Sequence, residues 1–274
     1  MFRRHPSRSA LVRAPVTGPM MARTNPLVTF FHSPVQWLQP VQLSAATLLR
    51  LSTRVETLKG VLLTLKQLSP DDYLEFMVGY LEAGLERFGE AWGYTDLLTI
   101  LRAATDALKP EAYLEIGVRR GRSLGVVAAA CPTVTIYGFD LWLSNYAGIE
   151  NPGPDFVQRE MHRIGHQGAL TLVSGDSKVT VPQFLENHPH LFFDIVTVDG
   201  DHSADGAAAD LRLVLPRLKI GGVIVLDDVA HPQHRDLAEV WNREVASQVS
   251  FDGLMYTTLG YGVAFAVKRG SDAT

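Results

Sequence analysis

The sequence contains a single cysteine, Cys131, among 274 residues, so it cannot form an intrachain disulfide. It also lacks any apolar run that approaches the roughly 18 residues of a membrane-spanning helix. No basic stripe interleaved with aromatic residues occurs in the main body, and the formal net charge is -4. These absences argue against a disulfide-stabilised secreted protein and against membrane or nucleic-acid partners. We therefore expect a cytoplasmic globular protein that acts on a small molecule.

Acidic residues are absent from the N-terminal part of the chain, where Glu56 is the first, whereas arginines are frequent there. Residues 1–40 are also rich in proline, which disfavours a continuous amphipathic helix. An arginine-rich, acid-free N-terminus is typical of organellar transit signals. A disordered tail, or a true start at Met20 or Met21, explains the composition without such a signal and is the preferred interpretation. We predict an irregular basic tail over residues 1–40, and the sequence leaves open whether residues 1–25 belong to the mature protein.

Residues 41–108 carry apolar side chains at helical spacing. The spacing from Val41 to Leu68 predicts one helix. Ser69-Pro70-Asp71 is typical of a helix start with proline in the first turn, and a third helix is expected from about Thr95 to Leu108. The sequence leaves open whether this region caps a substrate site or is a layer through which the chain forms homo-oligomers.

From residue 109 to residue 274 short apolar strands alternate with helical segments. This alternation predicts an α/β domain in which a parallel sheet is covered on both faces. The expected strands are Ala112–Ile116, Thr133–Phe139, Leu170–Val173, Phe192–Val198 and Val223–Leu226, followed by a hairpin of Leu254–Thr258 and Val263–Lys268. The expected helices lie near Ser123–Ala130, Asp155–Ile164, Thr180–Glu186, Ala204–Leu215 and Gln233–Val245.

A glycine loop follows the first predicted strand. Gly117 and Gly121, flanked by Glu115 and Ser123, allow the backbone to turn tightly and to approach a ligand at the start of the next helix. The spacing is Gly-x-x-x-Gly, without the third glycine of dinucleotide-binding enzymes. The loop alone is therefore a weak indication of nucleotide binding.

Acids follow the second and third strands, where ligands of open α/β sheets bind. Asp140 ends the second strand, where a carboxylate can accept hydrogen bonds from both hydroxyls of a ribose. Asp176 follows the third strand and is placed to meet an adenine, with Ser177 expected to cap the next helix. A helix cap or a solvated acid explains Asp140 and Asp176 without any ligand.

Further acids follow the fourth and fifth strands. Asp199, Asp227 and Asp228 are expected to lie together at one edge of the sheet, where clustered carboxylates are costly unless they share a cation. Oxygen ligands favour a hard cation such as Mg²⁺. His202 lies three residues after Asp199 and is suited to accept a proton from a hydroxyl. A metal-free polar rim, with His202 bonded to an acid, is the alternative.

One long connecting segment and one further histidine are also candidates for a role at the site. The segment Leu141–Gly165 is long for a crossover and is expected to act as a lid. Among the remaining histidines, His231 is the best candidate for a secondary site residue because it lies three residues after Asp228.

Taken in order, these motifs resemble those of the class I methyltransferases. The resemblance runs from Ala112 to Lys268 and implies a Rossmann-like seven-stranded, mostly parallel sheet with an antiparallel last strand, extended by the N-terminal helices. It also implies S-adenosylmethionine as the cofactor. Glu115, Gly117 and Gly121 match the first motif of the family, Asp140 matches its ribose-binding acid, and Asp176 with Ser177 matches its adenine-side loop; Ser123 and Asp199 are expected beside the cofactor.

The run Asp-Gly-Asp-His-Ser after the fourth strand resembles the metal-dependent O-methyltransferases of the macrocin and mycinamicin type, which act in natural product biosynthesis. That resemblance implies Mg²⁺ held by Asp199, Asp227 and Asp228, with His202 as general base and a sugar diol or catechol as acceptor. Asp227 departs from the pattern, since that branch often has glutamate there. Cephalosporin hydroxylase-like proteins share the pattern. A metal-independent methyltransferase, a nicotinamide-dependent oxidoreductase and a relative without this catalysis remain the alternatives.

Overall fold

The strands of the fold follow the predicted order closely. A computed structural model describes residues 41–145, 148 and 150–270, so the predicted basic tail and part of the predicted lid lie outside the described residues. The strands are β1 (Ala112–Ile116), β2 (Thr135–Asp140), β3 (Leu170–Ser174), β4 (Phe193–Val198), β5 (Leu218–Asp227), β6 (Phe251–Tyr256) and β7 (Val263–Lys268). Only β5 differs clearly, because it begins five residues earlier than Val223, where Leu218 pairs with Phe193 ahead of a register shift.

The strands form a sheet in the order β3-β2-β1-β4-β5-β7-β6. Strands β1 to β5 pair in parallel, while β7 pairs antiparallel with both β5 and β6. This confirms the predicted Rossmann-like sheet with an antiparallel end. Ile116 lies in register with both Phe139 and Val198, so the carboxyl ends of β2, β1 and β4 are level. Every loop that carries a predicted site residue therefore leaves the same edge of the sheet.

Helices connect the strands and cover both faces. They are α1 (Ala45–Ser52), α2 (Val55–Leu65), α3 (Asp72–Phe88), α4 (Leu97–Leu108), α5 (Arg122–Ala130), α6 (Pro154–Arg163), α7 (Ser177–Asn187), α8 (Ala204–Val214) and α9 (Leu237–Trp241). A single π-helical turn, Asn242–Ala246, continues α9. The predicted helix from Gln233 begins four residues late, because the chain after β5 first makes two tight turns.

The N-terminal helices differ from the prediction in two places. The single helix expected from Val41 to Leu68 is interrupted between α1 and α2, where the hydroxyls of Ser52 and Thr53 bond to the carbonyls of Leu49 and Arg50. Such side-chain bonds compete with the helical ladder. Pro70 lies before α3 and not in its first turn, because Asp71 is the N-cap and accepts a hydrogen bond from the amide of Leu74 at 2.8 Å.

The two sheet faces bury separate apolar clusters. One cluster joins α1 to α6 with side chains such as Tyr113, Ile136 and Phe265. The other joins α7, α8 and α9 with Leu114 and Phe139. The helices of residues 41–108 therefore share their core with the sheet. In the part of the chain that the structure describes, no helix has the length and apolar character needed to cross a membrane.

Candidate active site

The glycine loop passes directly against the end of β4. Gly117 has a φ of +95° and Gly121, the N-cap of α5, has a φ of +72°, a region that favours glycine. A Cβ atom built on Gly117 would lie 2.0 Å from the carbonyl oxygen of Asp199. Both predicted glycines are therefore required by the backbone itself, and Gly117 permits the contact between the first and fourth strand ends.

Glu115 and Ser123 lie beneath this loop. Glu115 is fully buried and accepts hydrogen bonds from the hydroxyls of Tyr113 and Ser123. Burial raises the pKa of Glu115 to about 8, although the two hydrogen bonds act in the opposite direction. The visible role of this pair is to fix the start of α5 under the loop, and their contact with a cofactor stays a prediction.

Asp140 is held by the backbone of two loops. Its Oδ2 accepts a hydrogen bond from the amide of Arg119 at 2.7 Å, and its Oδ1 accepts one from the amide of Trp142 at 2.5 Å. Asn151 Nδ2 lies 3.4 Å from the same Oδ1. Two buried atoms beside this carboxylate, Nε1 of Trp142 and Oδ1 of Asn151, have no hydrogen-bond partner among the described residues. A polar ligand with both donors and acceptors would satisfy them.

The loop after β3 corrects the capping role expected for Ser177. Asp176, not Ser177, caps α7, because its carboxylate accepts a hydrogen bond from the amide of Lys178 at 2.9 Å. Ser177 instead donates to Oδ1 of Asp210 at 2.7 Å. Asp210 is buried, its Oδ2 has no partner among the described residues, and burial raises its pKa to about 6. Sequence reasoning missed Asp210 because it lies within α8, away from any strand end.

The loops after β4 and β5 bring His202 between two acids. Nε2 of His202 lies 3.2 Å from Oδ1 of Asp199, and its Nδ1 lies 3.8 Å from Oδ2 of Asp228. Burial acts to lower the pKa of His202, but the hydrogen bond to Asp199 and the charges of both acids raise it above its ordinary value. Three of the four residues predicted for the chemical step therefore meet directly.

Asp227 and Asp228 stand next to each other at the end of β5. The pKa of Asp227 is raised well above its usual range by burial and then by the charges of Asp199 and Asp228. Burial and Asp199 also raise the pKa of Asp228, against the opposing effect of His202 and His231. Asp228 adopts a φ of +59°, in the left-handed region that Asp tolerates better than most residues. The acids form one electrostatic group, which the charges of His202, His231 and Arg119 oppose at Asp228.

Two further histidines close over Asp228 through consecutive turns. The amide of His231 donates to the carbonyl of Asp228, and that of His234 donates to the carbonyl of His231, both at 3.0 Å. The ring of His234 lies 4.6 Å from that of His202 and 4.5 Å from that of His231, measured between centroids. Of the two, it is therefore His234, and not the predicted His231, that contacts the ring of His202.

His202, Asp228 and His234 also form a group of potential metal ligands. Each of these three side chains offers one donor atom, and the three atoms all lie within 4.8 Å of one another. The predicted oxygen set of Asp199, Asp227 and Asp228 does not reach that mutual proximity. The Mg²⁺ site remains a prediction.

The N-terminus of helix α3 braces the glycine loop. Asp71, its N-cap, pairs with Arg120 Nε at 2.7 Å and with Arg122 Nη2 at 2.6 Å, and both arginines are largely buried. Sequence reasoning treated Asp71 as part of a helix start only. The partners lie about 50 positions away in the chain, a distance that periodicity cannot detect.

An aromatic row extends from the acids along α3 and the segment that follows it. Burial raises the pKa of Tyr73, and the charges of Asp227 and Asp228 raise it further. The row consists of Tyr73, Phe76, Tyr80, Trp92 and Tyr94, with neighbouring ring centroids 4.9–6.4 Å apart. Phe76 is 66% exposed and Tyr73 40%. The row forms a partly exposed apolar wall beside the acids.

Residues 114–229 match a family model described as a methyltransferase domain. The part of the chain that carries the glycine loop and the acids after β4 and β5 is therefore similar to a methyltransferase domain. No curated protein sequence matches the chain at a significant level.

Solved structures of low sequence identity are similar to this chain. An O-methyltransferase from Bacillus cereus in complex with SAH is 17% identical, with a TM-score of 0.52 over 73% of this chain and 92% of that one. The O-methyltransferase of tomaymycin synthesis from Streptomyces achromogenes is 19% identical, with a TM-score of 0.49 over 64% and 78%. The TDP-rhamnose 3'-O-methyltransferase of calicheamicin biosynthesis is 22% identical, with a TM-score of 0.49 over 79% and 94%.

Polar groups at the ends of β1 to β3 are available to a polar ligand. Trp142 and Asn151 both donate to the carboxylate of Asp140. Their buried atoms Nε1 and Oδ1 are a donor and an acceptor without a partner among the described residues. Asp176 is exposed at the end of the neighbouring strand, on the side expected for the adenine. The contacts of individual residues with the cofactor stay predictions.

Proposed function

We propose that this chain methylates a hydroxyl oxygen of a small molecule, with His202 as general base and Mg²⁺ holding the acceptor. The observation that carries the proposal is the position of His202 between Asp199 and Asp228 at the cofactor edge of the sheet. A hydroxyl must lose its proton as it becomes a methyl ether, and a neutral imidazole suits that task near neutral pH.

Asp199 orients the base and selects its tautomer. An ionised carboxylate only accepts hydrogen bonds, so Nε2 of His202 must donate to Oδ1 of Asp199. The lone pair then lies on Nδ1, which faces Asp228. The acceptor hydroxyl would approach this nitrogen and leave its proton there, while bound S-adenosylmethionine supplies the methyl group.

The acids after β4 and β5 have the donor chemistry for Mg²⁺. Asp199, Asp227 and Asp228 would hold the ion, and their mutual repulsion, which raises the pKa of Asp227, is the condition that a shared cation relieves. When bound, the ion would lower the pKa of an acceptor hydroxyl and fix its orientation.

The acceptor would rest against the aromatic row. Tyr73 lies within electrostatic range of Asp227 and Asp228, and the exposed face of the row leads away from them along α3. Aromatic faces pack well against sugar or phenol rings, whose hydroxyls would then point at the acids. This supports a ring-shaped acceptor with neighbouring oxygens, such as a sugar diol or a catechol.

The proposal is tested by measuring demethylated cofactor formed with a panel of diols and mono-ols, with Mg²⁺ and with excess chelator. We expect turnover with diols in the presence of Mg²⁺ and no turnover with excess chelator. Calorimetry should detect cofactor binding under both conditions. Turnover that survives chelator would replace the proposal with metal-independent methylation, an alternative favoured by the incomplete convergence of the three acids. Cofactor binding without turnover on any hydroxyl acceptor would contradict the proposed reaction.

A further inference from the structure

We infer that His202, Asp228 and His234 form a site for a borderline divalent cation such as Zn²⁺, which shares Asp228 with the proposed Mg²⁺ site and differs from it in its two histidine ligands and in metal preference. The donor atoms of these three side chains lie within 4.8 Å of one another. Two imidazoles and one carboxylate suit zinc and similar transition metals, whereas Mg²⁺ prefers oxygen ligands only. The three side chains leave a fourth position of a tetrahedral ion for water.

The backbone prepares this ligand set. The turns after β5 place His234 over Asp228, because the amides of His231 and His234 bond in succession to the carbonyls of Asp228 and His231. His202 comes from the loop after β4 and presents Nδ1 to Asp228 at 3.8 Å. Zinc bonds of about 2.0–2.2 Å place neighbouring ligand atoms closer together than this, so small side-chain rotations complete the site.

Asp199 provides the outer partner that metal-binding histidines commonly have. It lies 3.2 Å from Nε2 of His202, the nitrogen that does not face Asp228. A carboxylate in this position fixes the tautomer that leaves Nδ1 free to bind a metal. An open cleft of about 450 Å³, lined by His202, His234 and Gln233 among others, gives an ion access from solvent.

Occupation of this site has a consequence that rests on the proposed function. The metal would take the lone pair of His202 that the base requires, so Zn²⁺ would inhibit methyl transfer that Mg²⁺ supports. Zinc binding itself requires no methyl donor or acceptor, so it can be measured even if the proposed reaction is wrong.

The test titrates the full chain with Co²⁺, a spectroscopic substitute for Zn²⁺, without S-adenosylmethionine or acceptor. We expect one equivalent to produce visible ligand-field absorption that Zn²⁺ removes by displacement. His234→Ala should weaken Co²⁺ binding at least about tenfold to a hundredfold, since the loss of an outer partner alone costs that much. His231→Ala is the matched control, because its ring contacts His234 and lies outside the ligand set.

Three results would overturn the inference: no absorption with the unmodified chain, equal binding by His234→Ala, or loss of binding only in His231→Ala. Circular dichroism and calorimetric binding of S-adenosylmethionine verify that both variants are folded. If the chain turns over a hydroxyl acceptor, Zn²⁺ should inhibit the unmodified protein and spare His234→Ala. If it does not turn over, the absorption titration still decides on the metal site.

Discussion

At the ends of β1 to β3 the carboxylate of Asp140 accepts hydrogen bonds from two backbone amides, whereas at the end of β5 Asp227 faces two other acids. In the first half of the sheet edge, the glycine loop and the pairing of Asp71 with Arg120 and Arg122 hold the backbone in place. In the second half, the charges of His202, His231 and Arg119 oppose the repulsion among the acids at Asp228. We call the first the cofactor half and the second the acceptor half, after their proposed roles, and the clustered acids of the acceptor half favour a proton or a cation.

The largest expected effect comes from removing His202, the proposed general base in the acceptor half. His202→Ala should lower turnover by about 10²–10⁴-fold, the usual contribution of a general base, while S-adenosylmethionine affinity stays unchanged. In the unmodified enzyme, kcat/KM should rise with pH through a pKa above the ordinary value of histidine, since the base must be neutral. Steady-state kinetics over pH and calorimetry measure both quantities. A fully active His202→Ala would remove the distinction between the halves.

The brace of the cofactor half is expected to have the next largest effect. Asp71→Asn should reduce the free energy of unfolding by about 3 kcal/mol, because it leaves the largely buried Arg122 without a carboxylate and Arg120 with only the exposed Glu150. Urea denaturation measures the loss. Asp72→Asn, at the exposed neighbouring position, is the control and should be nearly neutral. Equal effects of the two substitutions would show that the pairing contributes nothing to the cofactor half.

Glu115 should make stability depend on pH. Its folded pKa of about 8 lies above its unfolded value, so the native state holds a proton that the unfolded state releases, and stability falls as pH rises between those values. The contribution amounts to about 2 kcal/mol between pH 6 and pH 7.5, at roughly 1.36 kcal/mol per pH unit. Glu115→Gln should remove that part of the slope. Chemical denaturation at several pH values measures it, and an unchanged slope in the variant would contradict a neutral Glu115.

The smallest effect separates the halves most cleanly. Asp140→Asn should weaken S-adenosylmethionine binding by about tenfold, as expected for loss of charge-assisted hydrogen bonds, without changing Mg²⁺ affinity. Asp227→Asn should do the reverse. Calorimetric titration of both variants with both ligands gives four affinities. If either substitution lowers the affinities for S-adenosylmethionine and Mg²⁺ equally, the two halves form one coupled site.

The sheet and most site positions could be predicted because their signals are local. Continuous apolar strands end at Ile116, Asp140 and Val198, and residues just beyond a parallel strand lie at one edge of the sheet. Pairing of β7 between β5 and β6 followed from a resemblance to a family and not from the strand pattern itself.

The missed residues depend on contacts that no local pattern encodes. Asp71, at the start of α3, forms an ion pair with Arg120 of the glycine loop. Asp210, within α8, accepts a hydrogen bond from Ser177. His231 lies three residues after Asp228 in the sequence, and His234 lies six residues after it. Only the path of the chain after β5 brings the later one against His202.

The left-handed backbone of Asp228 also limits how the family can vary there. Asparagine and glycine adopt a φ of +59° at low cost, whereas a β-branched residue does not. Asparagine retains an oxygen donor, but glycine preserves the turn while it removes the donor altogether. On the proposed function, a relative with glycine at this position would keep the same backbone and lose one of the proposed metal ligands.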